Sequence, residues 1–198
     1  MTSVITGDIV NSRNTSNELW LKALKNVFKE LNAGEIYRGD SFQIEIENIS
    51  KSLHTAIYIK SVLKTIKNID VRMAIGIGTK NFDAKTVKEA NGEAFINSGF
   101  AFDHYLKKQT IAIKTPWKEI DEEVNISLSL GLLTIDNWTT NSSEFVKISL
   151  EKEEATQKEL AKCLQISQSS ISERRKRSGF DEIMKLEKRF QKLINQKE

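Results

Sequence analysis

An α+β fold followed by a small all-α unit is predicted for this 198-residue chain. Three observations predict it. In the first part, apolar residues switch between the two-residue period of strands and the 3.6-residue period of helices, in the order strand, helix, strand, strand, helix, strand. In the second part only helical periods occur. Charge divides at the same place: residues 1–137 carry 17 basic and 17 acidic side chains, whereas residues 138–198 carry 13 and 10, so the whole net charge of +3 lies in the tail.

Residues 2–6 (Thr-Ser-Val-Ile-Thr) read as a short buried strand running into Gly7-Asp8. From about Thr15 to Asn32, Leu19, Leu21, Leu24, Val27, Phe28 and Leu31 recur at helical spacing. Glu35–Arg38 and Phe42–Ile46 read as two strands around Gly39-Asp40-Ser41. In the second, Phe42, Ile44 and Ile46 alternate with polar residues, so one face is buried. Ser50–Lys67 returns to helical period, and Val71–Gly78 is a strand whose glycines sit where side chains would crowd something. A turn-prone stretch follows. Gly92–Leu106 reads as a helix, Thr110–Ile113 as a strand, and Trp117–Leu133 as a helix with Pro116 just ahead of it. The first six elements form the ferredoxin-like split βαβ arrangement (βαββαβ), an antiparallel sheet with its first and third strands central. A boundary at Asp136-Asn137 gives two domains, 1–137 and 138–198.

Charged residues make up 29% of the chain and hydrophobic ones 39%, the balance of a folded soluble protein. The single cysteine, Cys163, excludes an internal disulfide and a multi-cysteine metal site; at an apolar position of a helical pattern, its expected role is packing. His54 and His104 stand in separate helical segments, so zinc is not expected. The N-terminus enters a strand without a basic region and apolar run, and no window reaches the roughly 18–20 apolar residues that span a bilayer. A cytoplasmic protein without a membrane partner is the expectation.

Asp8 is expected after the first strand and Asp40 in the tight connection between the second and third. With those strands central, the two carboxylates can meet at one sheet edge. Mg²⁺ or Mn²⁺ takes hard oxygen ligands, commonly one or two carboxylates plus phosphates. Two such ions could clamp the attacking and leaving oxygens of a phosphoryl transfer. The first helix is expected just after Asn11-Ser12-Arg13, whose N–H groups and guanidinium suit a triphosphate. Each Gly-Asp pair taken alone also reads as a simple turn; their joint placement is the more specific signal.

The segments Gly7-Asp8-Ile9-Val10-Asn11-Ser12-Arg13, Tyr37-Arg38-Gly39-Asp40-Ser41-Phe42 and Val71–Gly78 resemble stretches of class III nucleotidyl cyclases. They are also similar to the palm domains of GGDEF-type diguanylate cyclases and polymerases. Over nearly the whole chain the closer resemblance is to the SatD family, with its Gly-Asp-Ile-Val-x-Ser-Arg start and a helix-turn-helix introduced by a Trp-Thr pair, here Trp138-Thr139. The cyclase resemblance implies metal ligation by Asp8 and Asp40 and by the Ile9 backbone carbonyl. It also implies that Asn97 serves the nucleotide. Position 101, where cyclases carry a transition-state arginine, is alanine. Loss of such an arginine costs about 10³–10⁵ in rate in phosphoryl-transfer enzymes, so the resemblance implies nucleotide binding more than turnover.

In the tail, Thr156 can cap a helix with an apolar face at Leu160 and Leu164, and Ala161 allows a second helix close. Ile166 anchors the turn, Ser167 caps the second helix, and Ile171 buries it. An earlier helix at about Ser142–Glu153 would complete a three-helix unit. The spacing resembles the helix-turn-helix of bacterial regulators. It implies that Gln168, Ser169, Ser170 and Ser172 meet base edges of double-stranded DNA and that Arg174, Arg175 and Arg177 grip phosphates. A solvated basic helix end is the alternative. Gln165 takes a turn position usually held by glycine, and Arg174-Arg175 interrupt the buried face. Phe180, Ile183, Leu186, Phe190 and Leu193 form a stripe that serves either the core or a homodimer contact.

Three functions fit. The leading one is a transcription-regulating DNA-binding protein whose cyclase-like domain binds a divalent metal and a nucleotide. The second is an active nucleotidyl cyclase or nucleotidyltransferase recruited by its helix-turn-helix. The third is a regulator carrying a catalytically dead dimerisation domain.

Overall fold

Strand β1 (Thr2–Val10) lies at the centre of a five-stranded sheet in the computed structural model, which describes residues 1–14, 17–80 and 92–197. It runs antiparallel to β3 (Ser41–Ile46) and to β4 (Asp70–Gly78). Strand β2 (Glu35–Arg38) pairs with β3, and β5 (Ile111–Lys114) adds to β4 in parallel, giving the order β2-β3-β1-β4-β5. The fifth strand makes the sheet mixed, where an antiparallel one was expected. The fold is α+β.

The first strand is longer than its sequence suggests. Gly7 and Asp8 read as its end, yet both pair with β3 and β4. Gly7 is there for space: a Cβ would lie 2.5 Å from the fully buried Phe42 ring. On that face Ile5, Ile9, Ile44, Val71, Met73 and Ile75 form the main core with helices α1 (Asn17–Leu31) and α2 (Ser52–Lys64). Within α1, Trp20, Leu24 and Val27 are buried while Leu19, expected on the inner face, is exposed.

The other face is covered by α3 (Glu93–His104), which approaches so closely that a Cβ on Gly76 would sit 2.1 Å from the Ser98 nitrogen. That approach is what the glycines of β4 permit. Ala74, Ala101 and Ala112 meet there as small residues. The turn-prone stretch ahead of α3 falls at 81–91, outside the described residues, as do Thr15 and Ser16 at the expected start of α1.

Helix α4 (Lys118–Ile135) ends just ahead of the expected 137/138 boundary, and α5 (Thr140–Glu151), α6 (Gln157–Leu164), α7 (Gln168–Ser178) and α8 (Phe180–Asn195) follow it. One buried apolar cluster spans both parts, joining Ile57 and Leu128 to Phe145, Ile171, Ile183 and Phe190. The α8 stripe is thus spent within the chain, with Phe180, Leu186 and Leu193 partly buried against that cluster. The fully buried Lys60 of α2 pins the joint: its Nζ donates to Asp70 Oδ1 (2.9 Å), Val71 O (3.2 Å) and Thr110 Oγ1 (3.1 Å), and lies 2.9 Å from Asp136 Oδ1. Cys163 is exposed, against the expected packing role, because the apolar face of α6 turns inward at Leu160 and Ala161 instead. Among the described residues no helix is long and apolar enough to cross a membrane.

Candidate functional site

Antiparallel pairing brings the two aspartates to one end of the sheet. Asp8 faces Ser41 on one side and Arg72 on the other, and residues directly opposite across a ladder share a face. Arg72 therefore reaches Asp8 side-on, its Nε donating to Oδ1 at 3.1 Å and its Nη2 to Oδ2 at 2.5 Å. This bond holds the guanidinium pKa above its ordinary value against a smaller opposing effect of burial. Asp40 sits in the β2–β3 turn, where its carbonyl accepts from Ile9 N (3.1 Å) and its Oδ2 accepts from Ser12 Oγ (2.5 Å). The turn thereby extends the β1–β3 ladder by one residue. Arg72 was missed in the sequence, since only strand register shows that it stands beside Asp8.

The donor chemistry suits a divalent cation only in company. Both oxygens of Asp8 are engaged by Arg72, and Asp40 is engaged by Ser12. No group of three or more His, Cys, Asp or Glu side chains gathers to hold a metal among the described residues. Magnesium can complete its shell from substrate phosphates and water around one or two carboxylates. Arg72, with 41% of its side chain exposed, has room to turn away.

The other expected nucleotide residues are placed unevenly. Ser12 and Arg13 form a short 3-10 turn, with Ser12 buried and Arg13 exposed, and α1 begins at Asn17 rather than directly after them. Asn11 adopts φ 64° and donates from Nδ2 to Asn68 O. Asn97 Nδ2 donates to Ile77 O at 2.7 Å, so the amide fastens α3 to β4. Ala101 is fully buried against the sheet. His54 stands between Glu153 (3.6 Å) and Glu187 (3.8 Å), contacts that no spacing in the sequence announced.

The starts of α6 and α7 are capped by the residues the sequence predicts, Thr156 and Ser167. Thr156 caps α6 and exchanges hydrogen bonds with Glu159 in a capping box, satisfying donors at both ends of the exchange. Gln165 closes α6 in the left-handed region at φ 54°. Ser167 caps α7, its Oγ accepting from Ser170 N at 3.1 Å. The Ser167 hydroxyl also meets the hydroxyls of Ser169 (2.8 Å) and Ser170 (2.9 Å). Ile171 and Ser178 are fully buried, and the Trp138 indole N–H donates to Ser178 O at 2.8 Å.

The arginine block divides by face. Arg174 donates to Glu144 Oε2 at 2.9 Å and to Asn141 Oδ1 at 3.2 Å, and Arg175 donates to Asp181 Oδ1 at 2.7 Å while lying over the Phe180 ring. Both are thus engaged within the chain, continuing the inward face from Ile171 as ion-paired packing. Arg177 points outward, with 76% of its side chain exposed and a loose 3.5 Å pair to Glu173. Lys176 is exposed beside it, as are Gln168, Ser169 and Ser172. Gln168 and Ser172 carry no side-chain hydrogen bond among the described residues.

The sequence profile of the SatD family matches residues 3–194. None of the curated proteins matches the chain.

Proposed function

The chain belongs to the SatD family, and from that premise we propose that it is a cytoplasmic DNA-binding regulator whose α+β unit binds a nucleotide together with Mg²⁺ or Mn²⁺. Helices α6 and α7 act as the helix-turn-helix, and double-stranded DNA is the partner. The observation that carries this reading is the two-sidedness of α7. Its inner side is spent on the chain through Ile171, Arg174, Arg175 and Ser178. Its outer side offers Gln168 and Ser172 at the end that meets base edges and Lys176 and Arg177 for phosphates. In an anisotropy titration with a mixed duplex pool, the chain binds, and Gln168→Glu with Ser172→Glu abolishes binding by placing carboxylates in the groove. Full binding by that variant would remove α7 from the interface.

The order β2-β3-β1-β4 is that of the ferredoxin-like sheet of cyclase and palm domains, which supports reading the corner at Asp8 and Asp40 as a nucleotide site. Asp8, Asp40 and the Ile9 carbonyl would hold the cation, with Asn11, Ser12 and Arg13 nearest the phosphates. The cation would supply charge neutralisation at the phosphate oxygens. Arg72 must then release Asp8, and its freed guanidinium becomes a phosphate partner. Calorimetric titration with Mn²⁺ and nucleoside triphosphate should give binding that is lost in Asp8→Asn and Asp40→Asn. Equal affinity in parent and variants would sink the site.

A second reading keeps the DNA-binding half and makes the α+β unit a dimerisation platform without chemistry. The full burial of Ala101 and the Arg72–Asp8 clamp favour it. Release of pyrophosphate from any triphosphate, abolished by Asp8→Asn, would defeat this reading and establish an active nucleotidyl transferase or cyclase instead.

A further inference from the structure

We propose that a cavity between the end of α3, strand β5 and the first turns of α4 binds a small organic anion with a flat apolar body. The cavity is about 700 Å³, within the range of roughly 300–1,000 Å³ typical of small-molecule sites. It lies on the β5 side of the sheet, with β4 between it and the Asp8 strand. It rests on neither the DNA nor the nucleotide reading.

The walls divide into spent and unspent groups. Asn125 at the floor is saturated: its Oδ1 accepts from Gln109 Nε2 and Ile113 N, and its Nδ2 donates to Ile113 O and Asp121 O. Lys114 is likewise committed, to Asp121 Oδ2 (2.8 Å) and Thr115 O (2.9 Å). These bonds make a fixed, charge-balanced base. Of two ammonium groups at the rim, one is uncommitted and the other only loosely paired. Lys108 is exposed with no ion pair among the described residues, and Lys118 faces Glu122 at 3.7 Å with 89% of its side chain exposed. Exposed pairs of that kind contribute little, so an anion can recruit both lysines.

The apolar walls account for the flat body. Ile126, 64% exposed, lines one side. Tyr105 and His104 line another, held by Phe100, against which His104 stacks at 4.3 Å and Tyr105 packs edge-on at 5.6 Å. The His104 Nδ1 meets the Phe100 carbonyl at 2.9 Å, and since a carbonyl only accepts, the hydrogen is on Nδ1 and Nε2 is free to face a ligand. An aromatic wall, an exposed aliphatic wall and two exposed cations together select an aromatic carboxylate or phosphate ester over a bare ion.

The test uses the full chain and 2-naphthoate, followed by amide shifts in ¹H–¹⁵N spectra. The amides of Tyr105, Lys108, Lys118 and Ile126 are expected to move while those of α7 stay. Neutral 2-naphthamide and acetate should each bind about tenfold or more weakly, as should naphthoate to the Lys108→Glu, Lys118→Glu double variant. Unmoved amides at millimolar naphthoate would overturn the proposal. So would equal binding of the amide, or undiminished affinity in a double variant whose remaining spectrum matches the parent.

Discussion

Single positions carry much of what was legible. Thr156 and Ser167 announce two helix starts, and both cap as their sequence suggests. Gln165 is the informative departure, because it holds a left-handed conformation that costs a side chain about 1 kcal/mol. Gln165→Gly should therefore raise the unfolding free energy by about that amount in urea melts, with no loss of DNA affinity. An unchanged or lower stability would mean that the Gln165 side chain contributes enough elsewhere to offset the strain. The ion pairs of Arg174 and Arg175 have no signature in the sequence, for a reason that belongs to this scale. A run of cations looks uniform in sequence, but helical rotation turns neighbours to different faces, and their partners Glu144 and Asp181 come from other helices. The Asp181 carboxyl, hydrogen-bonded by Arg175, is held below its ordinary pKa.

At the scale of elements, periodicity placed the strands and helices well and their ends less well. Strand β1 was cut short because Gly7-Asp8 carries a turn signal, and only the Phe42 ring across the ladder explains why a glycine sits inside a strand. Neither the Arg72–Asp8 pair nor the Lys60 cluster has any local signature, since each joins separate elements through register and packing. The Lys60 cluster has a measurable consequence. Burial alone would raise the Asp70 carboxyl, but Lys60 and Lys64 outweigh it and hold it below the usual 3.8. A carboxyl depressed in the folded chain contributes stability that is complete above its unfolded pKa and lost as pH falls through the folded one. Stability should thus decline on acidification between roughly pH 5 and pH 2, and Asp70→Asn should make that slope shallower; identical slopes would show that Asp70 titrates alike folded and unfolded. Lys60→Met, which strands Asp70 and Asp136 around an apolar chain, should cost about 3–5 kcal/mol in urea denaturation at neutral pH. A cost below about 1 kcal/mol would mean that the cluster is well solvated.

At the scale of the whole molecule, the expected division at 137/138 marks a change of architecture, while the core runs on across it through α2, α4, α5 and α8. Asp70, Lys60 and Asp136 add a polar link between the sheet and the end of α4. The apolar stripe of α8 could be seen in the sequence, but what it covers could not, because a stripe looks the same facing its own chain or another. The outer face of α7 carries the proposed contact with DNA. The most direct measurement is duplex affinity across a salt series for the parent, a Lys176→Ala, Arg177→Ala variant and an Arg174→Ala, Arg175→Ala variant. Log affinity falls with log salt by about 0.9 for each phosphate neutralised. The Lys176/Arg177 variant should show a slope shallower by roughly 1–2, while the Arg174/Arg175 variant keeps the parental slope and loses thermal stability. A parental slope in the first variant and a flattened one in the second would contradict the proposed contact.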